Sequence, residues 1–468
     1  MNTTIIKNAY VIDPSLGIEG LTDIEIINGK IAKLGNNLNT TQVQNVYDLK
    51  GKMCIPGIID THVHLTLNNL NLGYHMLAKS GVTTALDMYG PIEKILDNIN
   101  EYGSGINVAC LSTYVGEDED IDDNNFDKNF LKEYTKDQVT KGAIGMKLVG
   151  GHYPMSPETT SDLIKFANEE RIYVAFHVGT SGSGSNIVGF EEAVKLAKGS
   201  RLHIAHVNSY CRGQIHNVFD EISIVLDLLK ENKNIVSESY LSLYNGTSGK
   251  CVDNKPLSRV TSKCLEQNGY EDSLSGLEQA ILDKVALVMS KVGNEIIYLE
   301  NPESALDYYR QVQGEVHVSF SINRHEAAYI LATAKNDNGS FVVDSISTDG
   351  GEIPRNVIVE KGLQLVKFGG LSMEEFVLKT SFNPAKMLGL NNKGSFKVGN
   401  DADVTVIDLD RELPVMAMVM GEVIMHEGLV VGKGGNIITT DAGVEHIMSR
   451  KLNPYVIRIE DTLLYCKE

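Results

Sequence analysis

One short run carries the densest chemistry in the chain: Pro56-Gly57-Ile58-Ile59-Asp60-Thr61-His62-Val63-His64. Side chains alternate along a strand, so Asp60, His62 and His64 share one face while Ile59, Thr61 and Val63 share the other. The apolar face can pack against helices. The polar face puts a carboxylate and two imidazoles into an interior, which is costly unless a cation takes their lone pairs. Paired imidazoles suit borderline divalent metals such as zinc. Lys147 raises a similar question. In 143–149, Ile144, Met146 and Leu148 face one way and Ala143, Gly145 and Lys147 the other, so small residues make room beside an ammonium that is expensive to bury. Further along, His177 stands opposite Val174 and Phe176. His203 and His206 lie three positions apart, an odd separation that puts them on opposite faces of a regular strand. Asp349 sits near the end of Asp344-Ser345-Ile346-Ser347-Thr348-Asp349-Gly350-Gly351.

These residues need a scaffold that gathers distant strand ends. Strand-like stretches at 57–64, 82–88, 106–114, 143–149, 172–178, 202–208, 235–241 and 341–349 alternate with helical ones, including 161–170, 190–197, 218–231 and 356–368. The pattern predicts an α/β fold, a (β/α)8 TIM barrel over residues 56–394, with functional residues at the C-terminal ends of its strands. An open doubly wound sheet is the rival, but no glycine-rich phosphate fingerprint follows the first strand. Residues 242–340 are too long for a plain connection and are expected to form an insertion at the active face. Both chain ends are β-rich. Asn28-Gly29 follows one strand-like run and Met420-Gly421 sits in another, both hairpin signals. A small β-sandwich domain built from residues 1–55 and 395–468 is the economical explanation.

The chain has 468 residues, with 42 Lys+Arg against 61 Asp+Glu and a formal charge of −19. Hydrophobic residues make up 42% and charged residues 22%, the balance of a soluble globular protein with a large core. The acidic surplus argues against nucleic acid or an anionic membrane as a partner. No run approaches the roughly 18 apolar residues of a membrane span, and the start lacks a secretory pattern. Cys54, Cys110, Cys211, Cys251, Cys264 and Cys466 are scattered without a CxxC pair, which reads as reduced thiols. A cytoplasmic enzyme is expected.

The Pro-Gly-x-x-Asp-x-His-x-His run at 56–64, the barrel alternation and the closing Gly394-Ser395-Phe396-Lys397-Val398-Gly399-Asn400-Asp401-Ala402-Asp403-Val404 together resemble the amidohydrolase superfamily of metal-dependent hydrolases over nearly the whole chain. The resemblance implies a (β/α)8 barrel flanked by a small β-sandwich, with one or two divalent metals at the barrel mouth. Carried over residue by residue, the ligand set is His62, His64, Lys147, His177, His206 and Asp349. His206 falls where the family's sixth-strand ligand lies, leaving His203 as a structural histidine. In binuclear members the fourth-strand lysine is carbamylated by CO2 and bridges both metals; a lysine that merely reaches solvent is the plainer alternative. Zinc is the metal expected for two such sites, with manganese, iron and nickel open. The implied reaction is hydrolysis of a non-peptide C–N amide bond, in a cyclic amide or ureide. A metal-bridging hydroxide attacks the carbonyl, and Asp349 serves first as general base and then as general acid.

A lysine-containing binuclear site resembles the cyclic-amide branch of hydantoinases, dihydropyrimidinases and dihydroorotases. The chain departs from that branch twice. The tyrosine expected five positions beyond the lysine is replaced by His152, with Tyr153 one step later, and Gly350-Gly351 follow the aspartate where histidine is common. The Ser347-Thr348-Asp349-Gly350 ending is more like N-acyl-D-amino-acid deacylases, which leaves a linear N-acyl amino acid open as substrate. His152 or Tyr153 could hydrogen-bond a developing oxyanion. Asn208, Ser209 and Arg212 after the sixth strand, and Arg355 after the eighth, are placed to contact a small-molecule amide substrate, an arginine suiting a carboxylate. A mononuclear deaminase of the same superfamily is disfavoured, because His177 is followed by Val-Gly-Thr-Ser rather than a nearby glutamate. A non-catalytic scaffold homologue is disfavoured too, since such members lose ligands that are all present here. Related barrels imply a homo-oligomer, a dimer or tetramer.

Overall fold

In the computed structural model, which describes residues 2–41, 43–67, 70–114 and 127–467, the alternating segments become the staves of a closed barrel. Its strands are Ile58–His64, Val82–Asp87, Ser104–Ser112, Gly145–Val149, Tyr173–His177, Leu202–Ile204 and Ile235–Tyr240, followed by an eighth in two pieces, Ser345–Ser347 and Gly350–Gly351. All neighbours run parallel; the first piece of the eighth strand pairs with the seventh, and the second pairs with the first strand, closing the ring. The alternation is realised as expected on the fourth and fifth strands. Met146, Leu148, Val174 and Phe176 face outward and pack with Leu163, Phe166 and Phe190 of the surrounding helices.

Each strand is followed by a helix: Gly73–Lys79, Ile92–Tyr102, Lys128–Lys141, Pro157–Glu169, Ile187–Ala197, Val218–Glu231, His325–Thr333 and Ile358–Lys367. The helix expected at 218–231 has those bounds, capped by Asn217, whose side chain accepts from the N–H groups of Phe219 and Asp220. The helix expected at 161–170 starts a turn earlier, because Ser156 caps it and Pro157 occupies its first position. No helix among the described residues is long and apolar enough to cross a membrane.

The insertion between the seventh strand and its helix ends sooner than residue 340. A four-stranded antiparallel sheet (Tyr244–Ser248, His317–Ser321, Ala286–Val292, Glu295–Tyr298) and the helices Arg259–Gln267, Leu274–Leu282 and Pro302–Gln311 enclose a core of their own around Leu265, Leu277, Val288 and Phe320. Helix His325–Thr333 belongs to the barrel instead, packing on Val218–Glu231, because its Ala327 and Leu331 bury into the barrel's outer layer.

Strands from both chain ends form one nine-stranded sheet. Met53–Pro56 runs antiparallel to Val404–Asp408, and Ile6, Val11, Ile24, Val404, Val406 and Met416 share its core. Both hairpins form, with positive φ at Asn28 (49°), Gly29 (79°), Met420 (47°) and Gly421 (75°). The expected span 395–468 does not all join this sheet. Gly434–Thr439 and Asn453–Val456 lie on the barrel, the former parallel to the third strand, with Ile437 and Ile438 buried there.

Candidate functional site

The first strand delivers His62 and His64 to the mouth, and the eighth delivers Asp349 to meet them. His64 Nε2 lies 2.9 Å and His62 Nε2 3.4 Å from Asp349 Oδ1. Donor atoms of His62, His206 and Asp349 all fall within 4.8 Å of one another. On the other side, His206 Nε2 is 3.1 Å from His177 Nδ1. Two ligands on one divalent cation, each about 2.0–2.1 Å from it, sit about 3.0–3.4 Å apart, close to the 2.9, 3.1 and 3.4 Å of the three direct pairs here. Burial pushes His62, His177 and His206 well below the ordinary imidazole pKa, so their rings are neutral and offer lone pairs. The ring nitrogens His64 Nδ1 and His206 Nδ1 are buried with no hydrogen-bond partner. The donor set therefore fits a divalent metal.

Local backbone geometry does much of the aiming. The sixth strand ends at Ile204, and His206 adopts left-handed φ 36°, ψ 58° before a short 3-10 turn, Val207–Tyr210. Asp349 is left-handed as well, with φ 51°. Each such L-residue costs roughly 1–2 kcal/mol. The expectation that His203 and His206 lie on opposite faces fails here, because the left-handed residue breaks the alternation. His206 stacks on His62, with ring centroids 5.1 Å apart. His203 is also inside the barrel, one layer lower, its Nδ1 3.2 Å from the Tyr173 hydroxyl and its Nε2 3.9 Å from Glu238 Oε1. Close backbone approach is needed at two glycines. A Cβ on Gly151 would lie 2.1 Å from His177 Nε2, and one on Gly351, at φ +79°, would lie 2.3 Å from the His64 carbonyl oxygen.

Lys147 is buried, and its ammonium donates to the Met88 thioether at 3.0 Å. Burial lowers its pKa to about 8 against the opposing pull of Glu238 and Asp349. Asp60, on the motif's polar face, turns to the eighth strand: it accepts from the His62 N–H and from the N–H and hydroxyl of Thr348, fixing the residue before Asp349. Burial raises its pKa to about 7.

Arg355 takes a different place from the one expected. Its Nη2 pairs with Asp349 Oδ2 at 2.6 Å, Nε donates to the Asp349 carbonyl at 2.5 Å, Nη1 donates to the Tyr244 carbonyl at 2.6 Å, and the guanidinium lies 4.9 Å from the Tyr240 ring centre. The guanidinium is thus committed to Asp349 and to the first insertion strand rather than open to a ligand. Burial opposes ionisation of Asp349, but Arg355, His62 and His64 together hold its carboxyl well below the usual carboxylate range.

Asn208 is likewise committed on one side: its Oδ1 accepts from the Tyr240 N–H at 3.0 Å and the Ser239 hydroxyl at 3.2 Å, pinning the sixth strand's end to the seventh. Ser209 donates to the Tyr240 hydroxyl. Arg212 reaches the insertion, donating to Asn323 Oδ1 at 3.0 Å and Asn245 Oδ1 at 3.2 Å. The His152 ring packs edge-on against His177 at 5.4 Å and remains solvent-exposed, yet the crowded mouth, and His64 within it, lower its pKa to about 4. Tyr153 borders a crevice with Tyr114, Tyr134 and Met146 on the helix side of the fourth strand. Cys211 is buried, and burial pushes its thiol up.

Two further residues stand at the site without having been singled out in the sequence. Glu238, in the middle of the seventh strand, is fully buried beneath His62. A carboxylate between two serines in a strand-like run is a weak signal, and only its barrel-facing register gives it away. His317 comes from the insertion. In its strand, Val318 and Phe320 enter the insertion core, so His317 and Ser319 face the other way. That face is a roof: Met289 and Ile296 pack on Leu72, Met76 and Ile353 at the barrel mouth. Beside it, a cavity of about 340 Å³ is lined by Leu67, Leu70, Met289, Tyr308 and His317. Burial, with His152 and His64 nearby, lowers the His317 pKa to about 4.

The model of the amidohydrolase family matches residues 53–439. A dihydroorotase of Ruminiclostridium cellulolyticum is 24% identical over 452 residues, covering 88% of this chain and 90% of that protein. A 5'-deoxyadenosine deaminase of Methanobrevibacter smithii is 27% identical over 212 residues, 38% of this chain and 48% of that protein. Among solved structures, a D-hydantoinase superposes with a TM-score of 0.59 at 17% identity, covering 92% of this chain and 98% of its own. The N-acyl-D-glutamate deacylase of Bordetella bronchiseptica, complexed with zinc and a phosphonate inhibitor, superposes with a TM-score of 0.64 at 14% identity and the same coverage.

Proposed function

Because the chain belongs to the amidohydrolase family and is a hydrolase of carbon–nitrogen bonds other than peptide bonds, we propose that it opens a cyclic amide or ureide at the mouth of its barrel. The observation that carries this reading is the convergence of histidines from the first, fifth and sixth strands with Asp349 around one pocket sized for divalent cations. The relatives named dihydroorotase support the cyclic-amide class. His62, His64, His177, His206 and Asp349 would hold two divalent metals, zinc being suited to nitrogen-rich ligand sets. Lys147 would join them after its neutral amine adds CO2 and loses a proton; a buried amine with pKa about 8 is predisposed to that addition. When bound, such metals polarise a carbonyl and lower the pKa of water.

The chain's own residues divide the remaining work. Asp349 Oδ2 is fixed by Arg355, leaving Oδ1, on the His62 and His64 side, to take a proton from water and return it to the leaving nitrogen. His152 and His317, kept neutral, line the mouth and can hydrogen-bond the substrate's carbonyl groups. The insertion sheet roofs one side of the mouth with an apolar face.

The test is a hydrolysis screen of zinc-loaded protein against hydantoins, dihydropyrimidines, dihydroorotate and N-acyl-D-amino acids, with Asp349→Asn alongside. Ring opening by the wild type, and its loss in the folded variant, is expected. Activity confined to N-acyl amino acids would move the chain to the deacylase reading that the Ser-Thr-Asp-Gly run favours. Full activity of Asp349→Asn would remove that residue from catalysis.

A further inference from the structure

Glu238 joins two of the site's histidines through one oxygen. Its Oε1 lies 2.7 Å from His62 Nδ1 and accepts from the backbone N–H of His206 at 2.7 Å, while Oε2 accepts from the Ser347 hydroxyl. All of these groups are buried, so the carboxylate exchanges water for three fixed donors. Two consequences follow from hydrogen-bond bookkeeping alone. The His206 amide can only donate, so Oε1 accepts there; with Glu238 as the carboxylate, which has no proton to give, the proton between Oε1 and His62 sits on Nδ1. The lone pair of His62 then lies on Nε2, the nitrogen 3.4 Å from Asp349 Oδ1. The same oxygen also holds the amide of His206 at the one place on the sixth strand where the backbone turns left-handed, φ 36°.

We propose that Glu238 is the positioning residue of the cation pocket, selecting the His62 tautomer and bracing the left-handed turn that swings His206 beside it. It touches neither substrate nor metal; it acts through the two imidazoles. The proposal rests on the reading of His62 and His206 as metal ligands. A carboxylate hydrogen-bonded to the far nitrogen of a ligating histidine raises that ligand's basicity, and its loss weakens metal binding about 10–100-fold.

The test uses the full-length chain in two measurements. In metal-free wild type labelled with 15N-histidine, the long-range 15N–1H spectrum should show His62 as the Nδ1–H tautomer; an Nε2–H tautomer overturns the proposal without any substitution. For E238Q, whose neutral amide removes the carboxylate's charge and can present NH2 in place of an acceptor oxygen, zinc affinity is measured by chelator competition. A rise in Kd of about 10–100-fold is expected, with His62 tautomer exchange appearing in the variant and an intact circular dichroism spectrum. An unchanged Kd in folded E238Q defeats the proposal. Failure of the wild type to bind zinc at all would instead defeat the metal-site reading on which it stands.

Discussion

Replacing Arg355 with methionine should cost the metal-free protein far more stability than the metal-loaded one. The guanidinium is buried and supplies the charge that faces the buried Asp349 carboxylate, 2.6 Å away. Removing one partner of such a pair strands the other, at about 3–5 kcal/mol. A bound cation would supply the missing positive charge. What remains is the loss of a donor at each of the Asp349 and Tyr244 carbonyl oxygens, about 1–3 kcal/mol. The assay is urea unfolding of wild type and Arg355→Met, chelated and at saturating zinc, comparing midpoints at constant m and allowing for each protein's zinc affinity. The pH dependence has a definite sign. Asp349 has a depressed folded pKa, so its contribution is complete above the unfolded value of about 4 and fades as pH falls through the lower folded value. The variant should lose that acid limb. Unchanged stability in both states, with only KM raised, would refute the clamp and return Arg355 to substrate contact.

Two further outcomes follow from the same structure. His206→Gly and His206→Ala should both lose zinc affinity, but the glycine variant should be the more stable of the two by about 1 kcal/mol in thermal unfolding, since φ 36° suits glycine. Lys393 pairs with Asp401 and Asp403 at 2.9 and 2.7 Å in a buried junction that Asn107 of the third strand also enters. Lys393→Met should therefore destabilise by about 3–5 kcal/mol in denaturant titrations. Burial opposes the Lys393 charge, but the two aspartates raise its pKa above the ordinary lysine value. Its stabilising effect is therefore present at neutral pH and lost as pH rises through that elevated value, and the variant should lack this alkaline loss.

Much of the architecture was legible because period-two alternation and capping residues are local signals. The fourth and fifth strands, the Asn28-Gly29 hairpin and the helix after Asn217 all form where the residues say they should. The placement of candidate residues was legible where they sit within a regular strand, as His62, His64 and Lys147 do. Alternation failed at His206 and split the eighth strand at Asp349, because both residues adopt left-handed backbone that only tertiary packing can impose. Arg355 looked like a carboxylate binder, and it is one; the carboxylate belongs to the chain. Glu238 and His317 were hidden because their roles depend on pairings between segments far apart in sequence: 176 residues separate Glu238 from His62. The insertion's end was misjudged because a barrel helix and an insertion helix bury similar alanine and leucine stripes.

On the reading proposed here, six side chains from five barrel strands hold two divalent cations in one pocket. Crystals of zinc-loaded protein, measured on either side of the zinc absorption edge, would test it in one step. The prediction is two anomalous peaks bounded by His62, His64, His177, His206 and Asp349, with extra density on Lys147 Nζ reaching both. A pocket without anomalous signal in crystals whose protein is active, or peaks bound elsewhere, would contradict it.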